Sequence, residues 1–567
     1  MLVVACGFIV LGVWLNLLVP RFLRDITLIV TGNMQGSIWG LGGAMLGVAV
    51  ASMVTAVIVA WIGSVVSSSH SARLREKLFN HVQNFSVAEM KHFSVASLIT
   101  RSTNDINNVR LFTAMAIQML ISSPVTAVWA ILEILDTSWE LSMVTIVSVV
   151  SLIVVMVLII VIAIPRYNKI QKLTDKLNQV TRENITGIRV VRAYNAQEFE
   201  QQKFDQANVN LTRNNLVVWR AMWLFWPFIG MLLAMLNVSI YWVGSWIITS
   251  GRTDDPARFF GDMMVFSQYS ALIIFSFMML ITVLVLAPRT FVSAKRINEV
   301  LQTDSSIAGS GILPGDRLPN TPLIEFKNVN FKYPGAEEGV LNDVNLVIKP
   351  GETVAFIGGT GCGKSTLVNL LPRIYDPTSG EVLLDGKCIK DMSLEELGQI
   401  VGYIPQTAII FSGTIRSNVA FGIDVSDEEI QQALETAQAK EFVDKLEDGL
   451  DSEVSQKGKN LSGGQKQRLA IARVIARRPK IYVFDDTFSA LDYKTDRALR
   501  NALKSQTKGS TVLIVAQRIG TIKDCDRIYV IDKGRIISNG THKELMEGCD
   551  VYKEIALSQL SKKELGG

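Results

Sequence analysis

The densest set of chemically suggestive residues is Gly358-Gly359-Thr360-Gly361-Cys362-Gly363-Lys364-Ser365-Thr366. Its Gly-x4-Gly-Lys-Ser spacing follows the apolar run Thr353–Ile357 and precedes a helix-compatible stretch, the setting a phosphate-binding loop requires. Glycines let successive backbone N–H groups point inward as a nest, and the following helix N-terminus adds partial positive charge. Lys364 is then placed to reach the β- and γ-phosphates of ATP, and the Ser365 hydroxyl to ligate Mg²⁺. A second apolar run, Ile481-Tyr482-Val483-Phe484, ends in Asp485-Asp486. An acid at the C-terminal end of a parallel strand beside the loop can hold Mg²⁺, the role expected of Asp485. Between the two lies Leu461-Ser462-Gly463-Gly464-Gln465-Lys466-Gln467-Arg468. Alone, Ser-Gly-Gly is any helix-capping turn; between two nucleotide motifs it reads as part of the nucleotide chemistry.

These motifs need a soluble α/β domain, yet much of the chain is too apolar to be one. Of 567 residues, 49% are hydrophobic, too many for a wholly soluble protein with 19% charge unless they are segregated. They are segregated: all ten Trp fall in the first 250 residues. Six stretches are long enough to cross a hydrocarbon core, which takes about 20 apolar residues: near Leu2–Pro20, Ile38–Val66, Phe112–Leu135, Leu141–Ile164, Leu224–Ile248 and Met263–Val285. Lys and Arg number five in Ser67–Val109 and ten in Pro165–Arg220, and are sparse in the other connections. By the positive-inside rule both long loops are expected to be cytoplasmic, with the N-terminus and the C-terminal domain on the same side of the cell membrane. Their helical periodicity predicts that the spans continue as helices about 30 Å beyond the bilayer for every twenty residues. The net charge of +4 gives no reason to expect nucleic acid, and five scattered Cys suggest a reducing cytosol without disulfides. Met1 runs into an apolar segment without the basic leader of a cleavable signal peptide.

The order phosphate loop, Tyr403-Ile404-Pro405-Gln406, Leu-Ser-Gly-Gly-Gln, acidic strand and Ser489-Ala490-Leu491-Asp492 resembles an ABC transporter nucleotide-binding domain. With six spans before it, the whole chain resembles a bacterial ABC half-exporter of the multidrug type. The implied fold is an α-helical six-span transmembrane domain (residues 1–301), a linker (302–322) and an α/β P-loop nucleotide-binding domain (323–567). The resemblance implies that Tyr333, in Phe331-Lys332-Tyr333-Pro334, stacks on adenine, that Gln406 senses Mg²⁺ and the γ-phosphate, and that Asp492 lies at a dimer seam. Ile99–Ile106 resembles the family's first cytoplasmic loop and Gly187–Tyr194 its second, implying short coupling helices near Phe93–Ser97 and Ala193–Phe199. The family has Gly-acid before the first of these, where Ala96-Ser97 stands here, and an elbow helix before the first span, for which Met1 leaves no room.

Two departures bear on catalysis. Efficient members place Glu directly after the Mg²⁺-binding Asp, and this chain has Asp486; they use a strand-end His on the γ-phosphate, and this chain has Gln517 in Ala516-Gln517-Arg518. Asp is one methylene short, and misplacing a catalytic group by about 1 Å costs on the order of a hundredfold. Gln donates a hydrogen bond but cannot become cationic. Ser462–Gln465 is intact, whereas Ser452–Gly458 departs from the family's usual stretch. Because each ATP in the family is sandwiched between one chain's phosphate loop and the other's Leu-Ser-Gly-Gly-Gln, the pattern is expected of one half of a heterodimer. Its partner would carry the Walker B Glu and the switch His. A homodimeric lipid or peptide exporter and an ATP-gated sensor or channel remain as alternatives. The fifth and sixth spans are rich in Met and aromatics (Trp219, Met222, Trp223, Phe225, Trp226, Phe228, Met231, Met235, Phe275, Phe277, Met278, Met279), which repack around varied apolar molecules. Hydrophobic drugs or dyes are the expected cargo. Glu133, near the outer end of the third span, is either functional or turned to the interface with Asp136.

Overall fold

The computed structural model describes residues 1–135, 138–253, 255–307 and 323–559. Its contacts divide into two compact units, Met1–His81 with Ala96–Gln302, and Val82–Val95 with Thr303–Gly567. The second unit therefore draws a short segment from between the second and third spans, which a single cut at 301/302 does not anticipate. Most of the expected linker, 308–322, lies outside the described residues.

The helices from the N-terminus are α1 (Leu2–Val30), α2 (Ile38–Gln83), α3 (Val87–Phe93), α4 (Val95–Thr100), α5 (Ile106–Leu135), α6 (Trp139–Thr186), α7 (Ile188–Ala193), α8 (Gln197–Thr249) and α9 (Pro256–Leu301). Among the described residues six segments are long and apolar enough to cross a membrane: α1, α2, α4 running into α5, the first part of α6, α8 and α9. At about 1.5 Å per residue the 53 residues of α8 reach some 80 Å, well past any bilayer core. Within the first unit α5 lies along α9 and α6 along α8. Buried Leu152, Leu236, Ile240, Phe266 and Tyr269 form the core between them. Pro20 deprives α1 of a helical donor, and the Tyr269 hydroxyl donates to the Leu17 carbonyl in that turn at 2.7 Å. Small polar pairs join neighbouring spans: Ser52 donates to Asn16 at 2.9 Å, Thr145 and Ser270 share a bond of 2.7 Å, and Ser267 bonds Asn237.

The expected short helices are displaced. Phe93 ends α3, Ser94 takes φ 57°, and α4 starts at Val95, so the break falls where a helix over Phe93–Ser97 was expected. Likewise α7 stops at Ala193, Asn195 takes φ 50°, and α8 resumes at Gln197. Asn is among the non-glycine residues that best tolerate positive φ.

In the second unit the strands are β1 (Ile324–Phe331), β2 (Leu341–Ile348), β3 (Thr353–Ile357), β4 (Ser379–Leu384), β5 (Lys387–Cys388), β6 (Val401–Ile404), β7 (Gly413–Thr414), β8 (Glu453–Val454), β9 (Ile481–Asp485), β10 (Thr511–Val515), β11 (Arg527–Asp532) and β12 (Arg535–Gly540). A six-stranded sheet runs β12-β11-β3-β10-β9-β6, parallel except for β12. β9 and β10 are buried at every position, as parallel strands covered on both faces must be. An antiparallel sheet, β2-β1-β4-β5, completes the domain. Register pairs Val515 with both Phe356 and Asp485, so β3 and β9 end at one edge. Ligands bind at this carboxyl end in open α/β sheets.

Candidate functional site

The phosphate loop leaves β3 at Gly358 and enters the helix Lys364–Asn369. A Cβ on Gly358 would lie 2.0 Å from the Ile531 carbonyl oxygen, and Gly363 holds φ 104°, so both positions exclude side chains. Gly359, Thr360 and Gly361 form the exposed rim; Cys362, Gly363 and Thr366 are buried. Lys364 Nζ, also buried, donates to the carbonyls of Gly358 (2.9 Å) and Gly359 (2.8 Å) and lies 3.5 Å from Cys362 Sγ. Its ammonium is thus parked along the loop that it would bridge to phosphate.

Across the sheet edge the Ser365 hydroxyl donates to Asp485 Oδ1 at 2.7 Å, and the Tyr403 hydroxyl donates to Oδ2 at 3.3 Å. Burial pushes the Asp485 carboxyl above its ordinary value, against the opposing pull of those two bonds. Ser365, Asp485 and the nearby Gln406 amide offer oxygen donors only, a hard set that suits Mg²⁺ shared with substrate phosphates. Among the described residues no cluster of three or more His, Cys, Asp or Glu is placed to cage a metal alone. Tyr403 had no role assigned from sequence; its position on β6, paired with β9, was the available signal.

Asp486 sits just past β9 with φ 47°, its N–H donating to the Val515 carbonyl at 3.0 Å. Its Oδ2 accepts from two amides, Gln406 Nε2 at 3.1 Å and Gln517 Nε2 at 2.7 Å. The two residues that depart from the family pattern therefore touch. Burial raises the Asp486 carboxyl too, with the Gln406 bond the largest opposing influence.

Tyr333 follows β1. Its hydroxyl bonds Thr366 Oγ1 at 2.9 Å, and its ring meets Tyr375 edge-on at 5.3 Å. Ser462 caps the helix Gly463–Arg477 in a reciprocal box, accepting from Gln465 N at 3.3 Å while its own N–H donates to Gln465 Oε1 at 2.8 Å. Ser462 and Gly463 are exposed, with Gly464 and Gln465 half-buried beside them. Among the described residues this signature makes no hydrogen bond to its own phosphate loop. Asp492 caps the next helix through Thr495 N at 3.0 Å, and that backbone bond holds its carboxyl below the ordinary value. The chain thus gathers Lys364, Ser365, Gln406, Asp485, Asp486 and Gln517 at one sheet edge and leaves the signature turned outward.

In the first unit Glu133 is ion-paired with Arg21, and Arg24 reaches Asp262 at 3.3 Å. Trp219, Trp223, Trp226, Met231 and Met235 are exposed on this single chain, whereas Met278 is buried.

Residues 2–303 match the family model of the ABC transporter transmembrane region, and residues 341–489 that of the ABC transporter. The chain is similar to an uncharacterized ABC transporter ATP-binding protein of Mycobacterium tuberculosis, 37% identical over 535 residues, covering 93% of this chain and 90% of the relative. It is also similar to the uncharacterized ABC transporter ATP-binding protein YfiB of Bacillus subtilis, 34% identical over 526 residues with the same coverage. A solved structure of a bacterial Atm1-family ABC exporter with ATP bound superposes with a TM-score of 0.81 at 22% identity, covering 99% of this chain and 98% of that one. At that identity the likeness speaks to the fold alone.

Proposed function

The chain belongs to the ABC transporter family, a transmembrane region fused to one ATP-binding domain, and on that premise we propose that it is an exporter half and the weakly hydrolysing subunit of a heterodimer. In this reading residues 1–301, apart from the segment 82–95 that packs with the second unit, form the membrane domain, 323–567 the ATP domain, and both long loops and the ATP domain face the cytoplasm. The backbone of Gly358–Gly363 cradles the phosphates, Tyr333 takes the base, and Lys364 leaves the Gly358 and Gly359 carbonyls for the β- and γ-phosphates. Ser365 and Asp485, with Gln406 beside them, would hold Mg²⁺. The metal would supply positive charge to the phosphates when bound. Tyr403 keeps Asp485 oriented throughout.

The observation that carries the reading is the double amide clamp on Asp486. The carboxylate due to accept a proton from the attacking water is one methylene short. It also spends one oxygen on Gln406 at 3.1 Å and Gln517 at 2.7 Å. Gln517 adds no positive charge toward the γ-phosphate, so transition-state stabilisation is weaker than an imidazolium supplies. Ser462–Gln465, preformed by its capping box with Ser462 and Gly463 exposed, is placed to complete a partner's site, where Glu and His do the chemistry. Asp492 lies at the seam between the two. Hydrophobic drugs or dyes are the cargo this reading favours, carried along α8, rich in Met and Trp, and α9, rich in Met and Phe.

Steady-state ATPase of the purified chain, alone and with its co-expressed partner, tests the proposal. The chain alone should turn over slowly and the pair rapidly. Turnover by the lone chain at the rate of the pair would falsify the heterodimer.

A further inference from the structure

The second unit takes in residues 82–95, and the seat of that segment is the observation with the widest reach. Ser86 caps α3 in a reciprocal box with Glu89, and its hydroxyl bonds Ser306 Oγ at 2.9 Å. Val87 packs against the hydrophobic cluster that contains Phe331, Phe356 and Tyr375. These contacts fix the start of α3 on the ATP-binding domain. One turn later Lys91 Nζ lies 5.2 Å from the Tyr333 ring centroid and 5.9 Å from that of Tyr375. Both distances are within cation–π range. Tyr375 is only 8% exposed and meets Tyr333 at 86°, so the two rings form a fixed corner and the ammonium closes its mouth.

Tyr333 is the ring on which, in the reading above, the nucleobase stacks. An ammonium over that ring and a base on it compete for one aromatic surface. We propose that Lys91 is a nucleotide-sensing residue: it covers the base platform while the site is empty, and a purine stacking on Tyr333 displaces it. This inference rests on the assignment of the ATP site. Displacement removes one of the contacts that hold α3, whose last residue Phe93 stays packed on Phe85, and the chain on either side of α3 continues into α2 and, through α4, into α5. Base binding is thereby transmitted to two spans by loss of a contact at the adenine side, independent of events at the γ-phosphate. The Tyr333–Thr366 bond of 2.9 Å ties the same ring to the phosphate loop, so the platform and the loop respond together.

The test is equilibrium binding of fluorescent ATP and of inorganic tripolyphosphate to the full-length protein in detergent, at fixed Mg²⁺, comparing wild type with Lys91→Met. Methionine keeps the apolar stem and removes the charge. Losing an exposed cation–π competitor should tighten ATP binding by about two- to fivefold, with tripolyphosphate affinity unchanged because it has no base. In a Tyr333→Leu background the Lys91→Met change should have no effect. Unchanged ATP affinity in Lys91→Met, weaker ATP binding, or an equal shift for tripolyphosphate each overturns the proposal. Lys91→Arg, which keeps the cation, should bind ATP as wild type does and guards against a folding defect in the Met variant. Failure of the wild type to bind either probe would overturn the assignment of the site itself, a different outcome from failure of the Lys91 effect.

Discussion

Replacing both departing residues, Asp486→Glu and Gln517→His, should awaken hydrolysis at this chain's own site, and only the pair should do so fully. Glu carries its carboxylate about 1.5 Å further than Asp, and a catalytic group misplaced by about 1 Å loses roughly a hundredfold in rate. The gain open to Asp486→Glu is therefore on that scale. The single change meets an obstacle in the site: Gln517 Nε2 already stands 2.7 Å from Asp486 Oδ2, and Gln406 Nε2 stands 3.1 Å from the same atom. A longer side chain must either push those amides aside or fold back, and a charge-assisted bond of this kind contributes roughly 1.5–3 kcal/mol. Residues in direct contact couple by about 0.5–3 kcal/mol, so the double variant should exceed the product of the two single gains. The assay is single-turnover hydrolysis by the co-expressed complex with the partner's catalytic carboxylate changed to its amide, which leaves this site alone to be read. Expected gains are about tenfold for Asp486→Glu, little for Gln517→His, and about a hundredfold for both. A double variant no faster than wild type, or single gains that simply multiply, would refute the reasoning.

Two further outcomes follow from charge. Burial holds Asp485 and Asp486 above the ordinary carboxylate range, and Mg²⁺ needs the ionised form, so protons compete with the metal. ATP affinity in Mg²⁺ should fall on acidification, beginning at higher pH than solvent-exposed aspartates titrate, and Asp485→Asn should flatten the curve; fluorescent-nucleotide binding across a pH series, with EDTA as the control, measures both. Topology is checked by thiol labelling of intact cells: a cysteine at 254 (Asp254→Cys), which lies outside the described residues, should be modified from outside, and Ala196→Cys should be spared. The reverse pattern would contradict the assigned orientation.

Elements set by local chemistry were legible from the residues. The Gly-x4-Gly-Lys-Ser loop declares itself because no other spacing combines the nest, the cation and the hydroxyl. The spans declare themselves because about 20 apolar residues in a row have few other uses. Placement set by tertiary packing was not legible. Asp486 and Gln517 are 31 residues apart, and only the pairing of β9 with β10 brings them together, so two departures that read as separate losses are one contact. The helix expected over Phe93–Ser97 instead ends at Phe93, because positive φ at Ser94 and the packing of Val87 decide the break rather than periodicity. Lys91 counted in the sequence only as a topology charge; its place over Tyr333 comes from the way the start of α3 is anchored.

The central claim is asymmetry: an intact signature lent to a partner and an impaired site kept. Steady-state ATPase of the co-expressed complex tests it most directly when Ser462→Arg, Lys364→Ala and Asp486→Ala are compared. Ser462→Arg puts a guanidinium where the partner's γ-phosphate must sit, and losing a donor to developing phosphate charge costs about a hundredfold or more. It should nearly abolish turnover. Lys364→Ala should weaken ATP binding at this chain's site and slow the cycle without ending it. Asp486→Ala should cost a small fraction of the Ser462→Arg loss, since the carboxylate it removes is short and already bound to two amides. Comparable, severe losses from all three changes would contradict the account, because that is the behaviour of a homodimer in which every site contains every one of these residues.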